Sequence, residues 1–172
     1  MIERDPGAGA LVDPEQFRDV IGRFATGVTV VTTALDGRPL GTTASAVSSL
    51  SLEPPMVLVC LDRGSDTGRA IVRAGTLAVN VLHVGQDKIA RAFARKGEDK
   101  FAGVEFALGV YGDPLLLGAL AQIECRVVEE ARGGTHTIFI SEVAAASGVE
   151  GMPLAYYRGK FGRFHAPEAD RR

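Results

Sequence analysis

The chain has 172 residues, of which 46% are hydrophobic and 23% are charged, and this is the composition of an ordinary globular domain. Its 21 acidic and 19 basic residues give a formal net charge of −2, so no overall attraction to nucleic acid or anionic membrane is expected. No segment approaches the run of about 20 apolar residues that crosses a membrane. We therefore expect neither a nucleic-acid partner nor membrane association.

The two cysteines, Cys60 and Cys125, each lie in an apolar segment typical of a β-strand. A disulfide between them is one alternative, and two reduced packing residues are the other. Residues 1–6 carry two acidic side chains and precede no apolar run, so we expect no signal peptide. We therefore expect a cytoplasmic protein with reduced cysteines.

The first predicted element is a helix that follows a loose leader, residues 1–12. Asp13 is a suitable N-cap, Pro14 suits the first helical position, and Glu15 suits the first turn. Apolar residues then recur at spacings of three and four, at Phe17, Val20, Ile21 and Phe24. This pattern predicts a helix that ends at Gly27 and whose apolar stripe packs against another surface.

A β-rich region follows. Residues 28–33 are all β-branched and predict a strand, and Asp36-Gly37 predicts a hairpin turn into a second strand that runs from Arg38 towards Val47. The continuous apolar run at 56–61 predicts a strand buried on both faces. Further along, the sequence predicts a short helix ending near Gly75, a helix at 86–95, and strands at 76–84, 119–130, 136–146 and 154–161.

Short strands, few helices and glycine-rich turns predict a mainly β fold with peripheral helices, built as a closed antiparallel barrel. No linker divides the chain, so we predict one domain at residues 13–164 and a frayed tail at 165–172.

Familiar catalytic motifs are absent from the sequence. It contains no G-x-G-x-x-G after a strand, no P-loop and no G-x-S-x-G elbow. Its three histidines are far apart and no zinc-type spacing occurs, so we expect no metal site.

Four polar segments remain as candidates, and each has a structural alternative. Residues 41–49 could let a flat ligand approach the backbone, or could form a solvent-facing edge strand. Residues 62–67 begin a helix and could bind phosphate, or could only cap that helix. Lys100 could pair with a phosphate or be solvated, and His136 could act on a ligand or be structural.

Taken in order, these segments resemble the flavin reductase-like domain family, the reductase components of two-component flavin monooxygenases. The matching stretches are FATGVTVVTT (24–33), GTTASAVSS (41–49), PPMVLVCLDRGS (54–65), AVNVL (78–82), DKF (99–101), HTIF (136–139) and PLAYYRG (153–159). The resemblance spans residues 15–162 and implies a split β-barrel of the FMN-binding type.

The resemblance also implies an activity and a set of site residues. The reaction is hydride transfer from NADH or NADPH to FMN or FAD, with the reduced flavin released to a partner monooxygenase; the family forms homodimers. Thr43, Ala44 and Ser45 would line the flavin ring, Ser65, Thr67 and Lys100 would hold the phosphate, and His136 would act catalytically on the nicotinamide side. The other implied cofactor-binding residues are Thr42, Ser48, Asp62, Arg63, Asn80, Phe101 and Tyr157.

Two other functions remain open at this point. The chain could be an oxidoreductase of the same fold that retains its flavin, or a flavin-binding module without enzymatic activity. Dependence of turnover on added flavin separates the first from a reductase, and absence of NADH oxidation identifies the second.

Overall fold

The structure is a computed structural model that describes residues 11–97 and 99–165. Residues 1–10 of the predicted leader and 166–172 of the predicted tail lie outside the described residues. Within the described part of the chain, no helix is both long enough and apolar enough to span a membrane.

The described residues form three helices, which lie on the outside of a β structure. They are α1 (Pro14–Ile21), α2 (Asp66–Ala74) and α3 (Asp87–Ala94). Asp13 caps α1 as predicted, because its carboxylate accepts hydrogen bonds from the main-chain N–H groups of Glu15 and Gln16. The prediction that this helix ends at Gly27 was wrong: Gly22 is its C-cap, and the chain turns there towards a short strand.

The strands, in chain order, are β1 (Thr26–Gly27), β2 (Thr29–Leu35), β3 (Arg38–Ala44), β4 (Val47–Leu52), β5 (Pro55–Asp62), β6 (Thr76–Val81), β7 (Phe106–Leu108), β8 (Pro114–Leu116), β9 (Ala121–Gly133), β10 (His136–Gly148), β11 (Leu154–Tyr157) and β12 (Lys160–Arg163). Two predicted strands are each split in two. The strand from Arg38 stops at Ala44, and the strand at 154–161 is interrupted at Arg158 and Gly159, whose φ angles of 48° and 78° form a turn.

The main sheet has seven antiparallel strands in the order β3-β2-β6-β9-β10-β5-β4. Its two edge strands, β3 and β4, follow one another in sequence and are joined only by Ser45 and Ala46. Ala44 and Val47, the strand ends that this link joins, are three Cα–Cα steps apart and so can be separated by at most about 11 Å. The sheet must therefore curl until its edges meet at this link. No ladder joins β3 to β4, and the barrel is therefore split along this line rather than closed.

The interior of the curled sheet holds one apolar cluster, and α3 covers a second. The first cluster includes Val31, Val59 and Phe139, and the second packs around Phe93. The prediction that the strand at 56–61 is buried on both faces was wrong, because its burial alternates: Val57, Val59 and Leu61 are buried, whereas the residues between them are only half-buried. The outward face of β5 is thus available for other contacts.

Candidate functional site

A cleft of about 250 Å³ lies at the split of the barrel, where the β3–β4 link, the end of β5, the start of β10 and the N-terminus of α2 meet. Seven of the predicted site residues line it: Thr42, Thr43, Ala44, Ser45, Asp62, Ser65 and His136. They come from three separate stretches of sequence, and the curl of the sheet brings these together.

The wall formed by β3 offers main-chain groups more than hydroxyls. β3 pairs on one side only, with β2, so main-chain N–H and C=O groups on its other side face the split. The Thr43 hydroxyl donates to the carbonyl oxygen of Ala90 at 2.7 Å and is therefore already in use. Ala44 is buried, and its carbonyl accepts from the Thr29 hydroxyl at 2.7 Å. These two hydrogen bonds hold the wall in place, and its small side chains let a flat ligand approach it closely.

The turn before α2 forms the opposite wall. The Asp62 carboxylate accepts from the N–H of Gly64 at 2.7 Å, and the Ser65 hydroxyl accepts from the N–H of Gly68 at 3.3 Å. Ser65 is therefore the N-cap of α2, which was the structural alternative for this segment. The main-chain N–H groups of Asp66 and Thr67 lie in the first turn, where the helix cannot satisfy them. They are the donors that an anion would use.

His136 stands at the mouth of the cleft. It is the first residue of β10 and pairs in register with Asp62 of β5. Its Nδ1 lies 2.9 Å from the Thr135 hydroxyl, and its side chain is exposed. The neighbouring Arg63 holds the two elements together through its main-chain N–H, which donates to the carbonyl of Thr135 at 3.0 Å. The Arg63 side chain is exposed and lines none of the described cavities.

A second cavity, of about 680 Å³, adjoins the cleft, and we call it the basic cavity. Its lining includes Thr67, Lys100 and Phe101 of the predicted site. The Lys100 ammonium donates to the carbonyls of Gly41 at 3.1 Å and Phe93 at 3.2 Å. Burial lowers the pKa of Lys100 below its usual range, and the nearby Asp66 carboxylate opposes that shift. Lys100 is therefore not the fully solvated lysine of the structural alternative.

An apolar groove of about 920 Å³ lies on the other side of the cleft. Its apolar lining includes Ile21, Phe24, Leu58 and Tyr156, and Ser48 of the predicted site lies here rather than in the cleft. The groove shares three residues with the cleft, namely Ser45, Ala46 and Cys60. Whatever covers this groove therefore also borders the cleft.

Besides Arg63, two further predicted residues lie away from all three cavities. Asn80 is fully buried; its amide nitrogen donates to the carbonyl of Val30 and its amide oxygen accepts from the N–H of Leu116. It has no exposed atom for a ligand, and we remove it from the proposed site as a core residue that ties three strands together. Tyr157 is exposed at the end of β11 and lines none of the three cavities, so we remove it from the proposed site within one chain.

Both cysteines are free, as the reduced alternative predicted. Burial raises the pKa of Cys60 and raises that of Cys125 to about 12. Cys60 is nevertheless more than a packing residue, because its side chain borders both the cleft and the apolar groove. No group of three potential metal ligands occurs among the residues that the structure describes.

Sequence reasoning missed the basic residues of the second cavity. Arg38 begins β3, while Arg69 and Arg73 lie on α2. Arg69 and Arg73 could have been predicted from the sequence. They follow the candidate phosphate-binding turn, and residues four apart in a helix share one face. Arg38 carried no such signal, since only the curl of the sheet brings it to α2.

The fold and the cleft together define a class of protein: a split β-barrel with a cleft at the open edge of its main sheet. Within that class, the chain belongs to the flavin reductase like domain family, whose sequence profile matches residues 21–165.

Similar proteins agree with this assignment. The chain is 50% identical over 153 residues to the reductase component of a 4-nitrophenol 4-monooxygenase/4-nitrocatechol 2-monooxygenase from Rhodococcus opacus, covering 89% of this chain and 82% of that one. The solved structure of the NADH:FAD oxidoreductase SgcE6 of Streptomyces globisporus C-1027, in complex with NAD and FAD fragments, has a TM-score of 0.84 and 43% identity to this chain. It covers 94% of this chain and 100% of its own.

A further solved structure, of a nitrilotriacetate monooxygenase component B homologue from Mycobacterium thermoresistibile, has a TM-score of 0.85 at 35% identity, covering 91% of this chain and 93% of its own. The predicted family, the split-barrel fold and the flavin reductase class are confirmed. The roles of individual residues stay predictions.

Proposed function

We propose that this chain reduces FMN or FAD with a nicotinamide nucleotide at the cleft and passes the reduced flavin to a separate monooxygenase. The observation that supports this most directly is the cleft itself. Its main-chain edge and its helix N-terminus face each other, as a flat ring system with an anionic tail requires. At about 250 Å³, the cleft is smaller than the roughly 300–1,000 Å³ pockets that enclose small molecules.

This small size has two consequences for the reaction. A flavin ring seated here keeps one face open, so a nicotinamide ring can approach that face. An open ring is also easily released, which suits delivery to another protein. When bound, the flavin supplies the redox chemistry, accepting a hydride from the nicotinamide.

The chain's own residues supply binding and orientation. Main-chain N–H groups on the open edge of β3 can donate to the ring oxygens that gain negative charge on reduction. The first-turn N–H groups of Asp66 and Thr67 hold the phosphate, beside the hydroxyl of Ser65. Lys100 adds positive charge there and still has one of its three N–H donors available.

His136 is proposed to orient the nicotinamide nucleotide. With Nδ1 beside the Thr135 hydroxyl, its Nε2 is the ring nitrogen that can contact the co-substrate. Holding the two reacting rings in contact distance accounts for much of the rate enhancement expected of such a site. No proton transfer by His136 is needed for a hydride step.

We further propose that a second copy of the chain covers the apolar groove. Phe24 is 72% exposed and Ile21 50% exposed, and both line the groove, while Phe17 and Val20 of α1 are also more than half exposed. Apolar side chains grouped in this way favour burial against a partner surface. Since the groove shares Ser45, Ala46 and Cys60 with the cleft, the second copy would form one border of the flavin site.

The homodimer can be tested by analytical ultracentrifugation of Phe24→Glu. A charge in the groove should shift the chain towards monomers and raise the KM for flavin. Leu108→Glu is the matched control, because Leu108 is 67% exposed and lines none of the three cavities. A Phe24→Glu protein that sediments like the control contradicts this dimer.

The oxygenase partner is proposed from the relatives, since the Rhodococcus opacus protein is itself the reductase component of a monooxygenase. Free cysteines and a nicotinamide co-substrate suit the cytoplasm, where we place the chain.

The decisive assay is the oxidation of NADH and of NADPH by the purified chain, with riboflavin, FMN or FAD added in turn. We expect oxidation that depends on added flavin. Oxidation without added flavin, by a protein purified with a full complement of flavin, would indicate a flavin-retaining oxidoreductase. Flavin binding without any oxidation would indicate a non-enzymatic binding module.

A further inference from the structure

The basic cavity lies beside the cleft, because residues that are neighbours in the chain line one space and the other. On one wall, Gly41 lines the cavity and the next residue, Thr42, lines the cleft; on the other wall, Asp66 lines the cavity and Ser65 lines the cleft. A ligand that lies in the cleft with its phosphate at the start of α2 therefore has open space beyond that phosphate. At about 680 Å³, this space is of the size that holds a small molecule.

The charge of the cavity suits a second phosphate. Among the described residues, its lining includes the basic side chains Arg38, Arg69, Arg73 and Lys100 and the acidic side chains Asp66 and Asp99, so these described residues have two positive charges in excess. Arg69 and Arg73 are four residues apart on α2 and so lie on one face of the helix. Guanidinium groups bind phosphate through two parallel hydrogen bonds.

The arginines can move to a ligand at small cost. Arg73 pairs with Asp36 at 3.6 Å, and their side chains are 66% and 81% exposed. Ion pairs this exposed contribute little to stability, so a phosphate can replace the Asp36 carboxylate. Arg69 is likewise exposed; it pairs with Asp66 and donates to the carbonyl of Gly64.

Part of the cavity lining is apolar. It is formed by Leu35 at the end of β2 and by Pro39 and Leu40 of β3. Such a wall can pack against a planar base, while a guanidinium plane can stack on the base from the other side. A phosphate subsite beside an apolar wall is the arrangement that a nucleotide needs.

We propose that the basic cavity binds the adenylate half of FAD, with Arg38 and Arg73 contacting its phosphate and base, so that this chain prefers FAD to FMN. The proposal rests on the proposed function, because it assumes that the flavin ring occupies the cleft. Riboflavin would then occupy the cleft alone, FMN would reach the edge of the basic cavity with its phosphate at Thr67 and Lys100, and only FAD would extend across that cavity to Arg38 and Arg73.

The test is to measure the dissociation constants of riboflavin, FMN and FAD by flavin fluorescence for the wild-type chain, Arg73→Glu and Arg73→Gln at one ionic strength. Losing a charge-assisted contact should weaken FAD binding about tenfold in Arg73→Gln, and further in Arg73→Glu. FMN binding should change by less than about threefold and riboflavin binding should not change. Arg38→Gln, a change in a different element, should show the same selectivity.

The matched control is Arg126→Gln. Arg126 is also exposed and ion-paired, with Glu142 at 2.6 Å, but it lines none of the three cavities. It should leave the binding of all three flavins unchanged.

Several results would overturn the proposal. Equal weakening of FMN and FAD would place the arginines at the flavin's own phosphate, and equal weakening of riboflavin as well would show a general disturbance of the cleft. Unchanged FAD binding would show that the cavity is not used. A raised KM for NADH or NADPH with unchanged FAD binding would assign the arginines to the co-substrate. Failure of the proposed function looks different: the wild-type chain would then oxidise no NADH with any flavin, whatever the binding constants are.

Discussion

Gly41 lies where the basic cavity and the second apolar cluster meet, next to Thr42 of the cleft, and replacing it with alanine tests this arrangement. A Cβ atom added there would lie 2.6 Å from Cε1 and 2.8 Å from Cδ1 of the Phe93 ring, and 3.3 Å from Cγ2 of Thr32. Carbon atoms in contact prefer separations of about 3.5–4.0 Å, so the ring would have to retreat by about 1 Å.

The Phe93 ring has little room to retreat. It is fully buried and packs edge-on against Phe101, with the ring centroids 4.9 Å apart. Overpacking of this kind costs about 1–3 kcal/mol. In a chain of this size, each kcal/mol lowers Tm by about 2–4 °C, so Gly41→Ala should melt about 2–12 °C below the wild type. The KM for flavin should also rise, because the Gly41 carbonyl is one of the two acceptors that hold Lys100.

Calorimetry of Gly41→Ala beside Gly162→Ala provides the comparison. An added Cβ at Gly162, in β12, would meet nothing within 4 Å, so this variant should keep or slightly raise Tm. Equal melting temperatures for the two variants would refute the close contact between β3 and α3.

Four further predictions concern single side chains. Lys100→Met should raise the KM for FMN about tenfold while kcat and the KM for riboflavin change little, because a phosphate contact is uniform binding. His136→Ala should change the KM for NADH or kcat, and leave flavin binding intact. Burial raises the pKa of Asp113 despite hydrogen bonds such as that from the Ala34 N–H, so the folded state binds the proton of this carboxyl more tightly than the unfolded state does. The free energy of unfolding therefore falls as the pH rises from about 4 through that raised pKa. Urea unfolding should therefore show Asp113→Asn gaining stability relative to the wild type between pH 4 and pH 7. Because burial raises the pKa of Cys60, iodoacetamide should label it slowly at pH 7.5, and bound flavin should slow labelling further.

Each of these predictions has an outcome that contradicts it. A fall in kcat with an unchanged KM for FMN would remove Lys100 from the phosphate site. Unaltered NADH kinetics would make His136 a structural residue. An Asp113→Asn difference that does not depend on pH would mean that this carboxyl titrates alike in both states. Labelling of Cys60 at the rate of a small free thiol would show it fully open to solvent.

Much of the fold could be predicted because local patterns decide it. The β-branched run at 28–33 predicted β2, and Asp36-Gly37 predicted the hairpin turn after it. Asp13 predicted the start of α1. Residues 41–49 did not predict the split of the barrel, because small residues such as Ser45 and Ala46 occur equally well in a strand and in a link between strands. The alternating burial of β5 was hidden for a related reason, since apolar side chains also occupy its outward face.

Most of the residues that line the cleft could be predicted from the sequence. The ordered motifs identified seven residues that line the cleft, including Thr42, Ser65 and His136. Asn80 was misplaced because sequence cannot show whether a polar side chain on a strand is satisfied inside the core, as it is here through Val30 and Leu116. Arg38 was missed because only the tertiary fold brings it to the cavity that α2 also lines.

The residues shared between the cleft and the apolar groove have a thermodynamic consequence. Ser45, Ala46 and Cys60 face both spaces, so a flavin in one and a second copy in the other would touch the same short segment. Any free energy of coupling between the two binding events must act in both directions: if self-association tightens flavin binding, flavin tightens self-association by the same factor. The apparent affinity for flavin would then vary with the concentration of the protein itself.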